Sequence, residues 1–172
     1  MPHAMQASGT TQPPLDELLR AARETVAKVR YCVAATPAAD GGVNARVVGA
    51  FPPAEDWSVM FVTSASSRKT DEIRRTGRLT LVYQLDPEGA YVALAGQARV
   101  DGDTALKARV WTRGLDEWFP AGPDNPDAVV VSLATERIEL WSLARGIMPE
   151  PRGCRAAVIE RSGENAWVVI QA

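Results

Sequence analysis

The sequence predicts a mainly β, α+β fold: an antiparallel barrel with peripheral helices. Three observations lead there. Apolar segments of strand length follow one another through short turns rich in Gly, Asp and Pro. Helical periodicity is confined to stretches between them, without the strict strand–helix alternation of a parallel sheet. Gly96 interrupts a long strand at a point where a barrel needs a bulge or bend. With 172 residues, no internal repeat and no composition break, the chain reads as one domain with a real core.

In order, residues 1–13 are Ser/Thr/Gln/Pro-rich and read as a flexible, dispensable tail. Pro14 is placed to open a helix, with Asp16 and Glu17 favouring its dipole. Leu15, Leu18, Leu19, Ala22 and Val26 then repeat at helical spacing. Arg30 to Thr36 and Asn44 to Phe51 read as strands around the turn Asp40-Gly41-Gly42. Trp57 to Thr63 is a third strand, apolar on both alternating faces. A short charged helix follows, then strands from Arg78 to Leu85 and from Ala90 to Val100. Asp103 caps a helix through Leu106, Val110 and Trp111. Trp118 to Asp127 is a Pro/Gly loop. Ala128 to Ala134 and Arg137 to Leu143 are two further strands. After a linker from Gly146 to Gly153, Ala156 to Glu160 and Ala166 to Ile170 suggest a terminal hairpin packed on the barrel. The expected layout is therefore a tail (1–13), a barrel domain (14–145) and a C-terminal extension (146–172).

Composition excludes several functions. A net charge of −2 gives no electrostatic footprint for nucleic acid or an anionic membrane surface. No apolar run is long enough to span a bilayer, and the N-terminus lacks a basic segment followed by an apolar one, so the cytoplasm is the default. Cys32 and Cys154 supply neither a zinc site nor a disulfide framework. His3, the single histidine, lies in the tail. The body therefore has no Ser-His-Asp or Cys-His catalysis and no common zinc hydrolase site. An enzyme with this composition needs a cofactor for difficult chemistry.

The segment from Val62 to Arg75 carries the candidate chemistry. A strand runs into a turn holding Thr63, Ser64, Ser66 and Ser67, and Arg68 and Lys69 open the next helix. Cations in a first turn oppose the helix dipole. They make sense where an anion sits, because N–H groups, hydroxyls and cations then converge on it. The competing reading is a solvated helix start capped by Ser67, with Asp71 and Glu72 serving the dipole. Arg46 on its strand can join the cations or simply face solvent.

The order of these features resembles the pyridoxamine 5′-phosphate oxidase-like split-barrel flavoproteins, in their general-stress-protein branch. The residues that carry the likeness are Asn44-Ala45-Arg46-Val47-Val48, the turn Ser67-Arg68-Lys69 with Ile73-Arg74-Arg75, the strand through Gly96, the loop Trp118-Phe119-Pro120 to Pro126-Asp127, and Glu139-Leu140-Trp141. The resemblance implies a six-stranded split barrel that binds flavin mononucleotide (FMN) at a homodimer interface. It implies that Arg46, Ser67, Arg68 and Lys69 hold the phosphate. Val47, Val48, Val62 and Thr63 would line the flavin, Tyr91 would reach it from the partner chain, and Trp118 would close over the pocket. Three readings follow: an FMN-dependent oxidoreductase using a donor such as NAD(P)H, a non-catalytic flavin-binding stress protein, or a split barrel for the deazaflavin F420 or haem. Three departures stand out. Tyr91 stands where the oxidase itself commonly has Gln, a change in the partner-chain contact to the flavin. Gly77 takes the place of the family's usual proline, a loss of rigidity. The segment after Gly146 lacks the C-terminal Trp and Arg pattern of true pyridoxamine phosphate oxidases. The doubly apolar strand from Trp57 to Thr63 gives a homodimer a second motive.

Overall fold

The computed structural model describes residues 13–149, 151, 153–164 and 166–170. The tail read from the sequence thus lies, except for Pro13, outside the described residues. Among the described residues there are three α-helices: α1 (Leu15–Ala27), α2 (Arg68–Thr76) and α3 (Thr104–Val110). The strands are β1 (Cys32–Pro37), β2 (Val43–Val48), β3 (Val59–Ser64), β4 (Arg78–Leu85), β5 (Ala90–Asp101), β6 (Ala128–Ser142), β7 (Ala157–Arg161) and β8 (Trp167–Ile170). All pairings are antiparallel, in the order β2-β1-β4-β5-β6-β7-β8, with β3 paired to β6. The fold is a split β-barrel with peripheral helices. Among the described residues eight strands stand where six were expected, because β7 and β8 extend the barrel sheet.

The segments Ala128–Ala134 and Arg137–Leu143, expected as two strands, are one. Gly96 pairs with Thr135 and Ala95 with Arg137, so Glu136 is an extra residue bulged out of β6. The reason lies at Gly96: a Cβ there would come within 2.0 Å of the Ala134 carbonyl oxygen. The bulge needs a glycine partner because backbone meets backbone. β6 then serves two neighbours in turn, β3 along its first half and β7 along its second.

The core lies inside the barrel, built from Ala34, Phe61, Leu79, Leu81, Leu94, Leu133, Ile138 and Leu140, with Leu18, Ala22 and Val26 of α1 packed on it. Thr25 in the buried face of α1 satisfies its hydroxyl on the Ala21 carbonyl at 2.9 Å. Pro14 is the N-cap of α1, one position before the expected first turn. Between β2 and β3, Trp57 adopts φ 66°, a conformation that L-residues rarely take. It is held there by Thr135, whose hydroxyl donates to the Trp57 carbonyl at 2.6 Å, and by the Arg23 guanidinium 4.2 Å over its ring.

Gly77 ends α2 at φ 65° and donates its N–H to the Ile73 carbonyl at 2.7 Å. A proline could neither take that φ nor make that bond. The expected loss of rigidity at this position is instead a left-handed helix cap.

Candidate functional site

The site begins with the geometry of α2. Ile73 of α2 is buried in the core, and the helix packs on β1 and β5. That carries Glu72, its neighbour, into the gap between α2 and the β1–β2 hairpin, where its side chain is 8% exposed. One carboxylate oxygen accepts from Asn44 Nδ2 at 2.5 Å. The other accepts from Thr36 Oγ1 at 2.5 Å and Arg46 Nη2 at 2.9 Å. The Thr36 hydroxyl first, then Asn44 and Arg46, overcome the cost of burial and hold the Glu72 carboxyl down to about 2. Glu72 was expected to serve the helix dipole at the surface. The structure places it instead among the cations.

Arg46 does not face solvent. Its Nη1 donates to the carbonyls of Ala34 (3.2 Å) and Asn44 (3.0 Å) and to Thr36 Oγ1 (2.5 Å). Arg68 Nε stands 3.8 Å from the other oxygen of Glu72, its side chain largely in solvent. Lys69 is half-buried. Its ammonium is pushed below the ordinary lysine value by burial and by the like charge of Arg46, which places the two cations within electrostatic reach. Among the described residues Lys69 has no acid partner. Arg46, Arg68 and Lys69 are thus brought together, with one carboxylate among three cations.

The serine turn is tied to the loop that precedes β6. Asp127 accepts the Ser66 N–H on its side chain at 3.0 Å and the Ala65 N–H on its carbonyl at 2.6 Å. The Ser64 side chain first, and then the Ser66 amide, hold the Asp127 carboxyl below its ordinary value. The Ala65 and Ser66 amides are therefore already committed. Ser67 stands at the N-cap of α2, but its hydroxyl makes no cap. It donates to Thr70 Oγ1 at 2.8 Å, and Thr70 in turn donates to the Ser64 carbonyl at 2.8 Å. The first N–H groups of α2, at Arg68 and Lys69, keep the orphan donors of any helix start. An open cleft of about 510 Å³ adjoins, lined among others by Asn44, Arg68, Glu72 and Arg75.

The other expected residues distribute around this cluster. Val48 and Thr63 are buried, Val62 is half-buried and Val47 is exposed. Tyr91 lies elsewhere, in a second cleft of about 440 Å³ with Val82, Gln84 and Trp141. Trp118 stands in solvent, 77% exposed, on a loop anchored by the Trp111–Phe119 ring contact and by Asn125 Nδ2 on the Pro120 carbonyl. Sequence reasoning missed Thr36, Asn44 and Asp127 as members of the site. Glu72 carried one signal: it follows Arg68 by four residues and adjoins the core residue Ile73.

The sequence profile described as pyridoxamine 5′-phosphate oxidase like matches residues 17–161, and the chain belongs to that family. General stress protein 26 of Bacillus subtilis is 33% identical over 83 residues; the match covers 46% of this chain and 59% of that protein's length. A protein related to general stress protein 26 from Clostridium acetobutylicum superposes with TM-score 0.68 at 20% identity, over 75% of this chain and 91% of the other. A pyridoxamine 5′-phosphate oxidase-related, FMN-binding protein from Nostoc punctiforme does so with TM-score 0.64 at 18% identity, over 94% and 99%. At these identities the two structures share the fold. No described helix is long and apolar enough to cross a membrane.

Proposed function

We propose that this chain binds FMN as a homodimer and serves as an FMN-dependent oxidoreductase. The observation that carries the phosphate end is Lys69: a half-buried ammonium without an acid partner among the described residues, beside Arg46 and at the first turn of α2. A phosphate there would meet Arg46, Arg68, Lys69 and the free amides of that turn, whose positive end suits an anion. Arg46, Arg68 and Lys69 less Glu72 leave two positive charges, the charge of a fully ionised phosphate monoester with its sign reversed. Val47 and Val48 on β2, and Val62 and Thr63 on β3, the strand that leads into the serine turn, would hold the ring. Bound FMN supplies hydride and electron transfer, which suits a body without histidine. The FMN-binding description of the Nostoc relative supports the same cofactor.

The homodimer rests on an apolar surface. β3 is covered on one face by its own chain, with Val59, Phe61 and Thr63 buried and Met60 and Val62 half-buried. Four of the exposed apolar side chains, Tyr31, Val33, Val43 and Val47, lie together on β1, β2 and the segment before them, while Trp118, Leu143, Val168 and Ile170 lie on other elements. Val47 pairs with Val33, and Val33 with Val82 on β4, so the patch continues across the sheet toward the Tyr91 cleft. A second chain on that face would bring its own Tyr91 cleft to the interface.

Isothermal titration with FMN and riboflavin tests the phosphate end. The two share a ring and differ by the phosphate. Charged hydrogen bonds contribute about 1.5–3 kcal/mol each, so Arg68→Ala with Lys69→Ala should weaken FMN roughly a hundredfold or more and spare riboflavin. Equal losses would reduce the turn to a shaping role, and no loss for either would remove the site. Bleaching of the bound flavin by NAD(P)H, with turnover, tests the oxidoreductase reading. A flavin that NAD(P)H leaves oxidised would favour a binding role without that donor.

A further inference from the structure

Glu72 stands against the electrostatics of an anion site. A buried carboxylate repels a phosphate nearby, so charge alone would favour its absence. Its contacts suggest what it does. An arginine side chain has many rotamers to lose, and an arginine that must be ordered by its ligand binds more weakly for it. Arg46 is ordered before any ligand arrives. Ala34, Asn44 and Thr36 fix Nη1, and Glu72 fixes Nη2. Arginine has five N–H donors. These contacts leave Nε–H and one N–H of Nη2 without an acceptor among the described residues. Thr36 and Asn44 hold the carboxylate in turn, one on each oxygen.

We propose that Glu72 is a positioning residue for anion binding: it acts through Arg46, holding the guanidinium set toward the ligand. This rests on the phosphate reading above. Glu72 touches no ligand itself. Because its carboxyl is held down to about 2, it stays ionised through the neutral range and keeps its grip there. The unfavourable charge is offset by an arginine that needs no ordering on binding.

The test measures FMN and riboflavin affinities of the full chain by calorimetry, with thermal melting alongside. Glu72→Gln removes the charge at near-constant shape. Glu72→Asp keeps the charge but withdraws it by one methylene, and serves alone where Glu72→Gln does not fold. Both should weaken FMN, by roughly tenfold to a hundredfold for the Gln variant, and leave riboflavin unchanged. In an Arg46→Gln background, Glu72→Gln should cost FMN nothing further, because the residue it acts through is gone. Tighter FMN binding by Glu72→Gln would show a charge effect without positioning and overturn the proposal. So would equal losses for both ligands, or losses that add fully across the Arg46→Gln background. The wild-type preference for FMN over riboflavin separates the two readings. A preference near unity overturns the phosphate site and this role with it. A strong preference that survives both Glu72 variants overturns only this role.

Discussion

The two faces of β2 are inverted relative to each other. In an ordinary half-buried strand the apolar side chains turn inward and the polar ones outward. Here Asn44 and Arg46 turn toward α2 and are half-buried, beside the buried Val48 on the same face, while Val43 and Val47 are 71% and 67% exposed. That contrast marks where the chain is complete in itself. On the inner face, Glu72, Thr36 and the β1 backbone give Arg46 its partners. On the outer face, nothing among the described residues covers the valines. The inner face should therefore govern stability, and the outer face association.

The largest effect on the inner face is expected from Glu72→Leu. It strands the Arg46 guanidinium, whose side chain is 19% exposed, without its anion. Removing one partner of a buried pair costs about 3–5 kcal/mol. Urea unfolding should show a loss of that size with an unchanged slope. A loss under about 1 kcal/mol, ordinary for a surface change, would mean water already serves the cluster.

Acid should probe the same face more gently. The folded Glu72 carboxyl sits at about 2, below the ordinary 4.5, so the unfolded chain takes up its proton first. The stability it contributes is full above 4.5 and drains as pH falls from there through 2. Asp127, also held below its ordinary value, adds loss in the same direction. Urea midpoints should fall from about pH 5 to about pH 2.5, and fall less steeply in Glu72→Gln. Parallel curves would assign the acid sensitivity to other carboxylates.

A smaller effect is expected where α2 ends. Gly77 has φ 65°, and no atom outside its immediate neighbours lies within 4 Å of where a Cβ would stand. Gly77→Ala therefore meets only the backbone cost of the left-handed region, about 1–2 kcal/mol. Thermal melting of Gly77→Ala against wild type measures it. An unchanged melting temperature would mean that the helix end re-forms in another conformation.

Much of this was legible in the sequence, and the exceptions share a cause. Alternating apolar residues and Gly/Asp/Pro turns marked the strands, because period and turn chemistry are local. Thr135-Glu136 read as a break between strands because a bulge and a gap look alike until Gly96 is seen across the ladder. Arg68 and Lys69 announced themselves as cations misplaced at a helix start. Glu72 did not, since an acid beside Asp71 reads as an exposed dipole partner. Its burial depends on how α2 lies across the β1–β2 hairpin, a tertiary fact. The inversion of β2 was hidden for the same reason, because alternation reveals two faces without saying which one is inside.

The outer face should give the smallest change in the stability of the isolated chain. Val47 sits at the sheet edge with its side chain in water, so Val47→Glu removes no packing within the protomer. Surface changes of this kind stay within about 0.5 kcal/mol. The same substitution puts a carboxylate into the patch formed with Val33 and Val43. If a second copy covers that patch, each interface would bury that charge without a partner, which is strongly unfavourable. Sedimentation of wild type and Val47→Glu at micromolar concentration, with urea unfolding of both, reads the two effects separately. The expected pair of results is a dimer that becomes a monomer, and unfolding of the dissociated chain that hardly moves. A wild-type monomer would leave the exposed valines without a second copy to cover them. A variant that remains dimeric would place the interface on another face. A variant that unfolds readily as a monomer would show that β2 is not inside-out in solution.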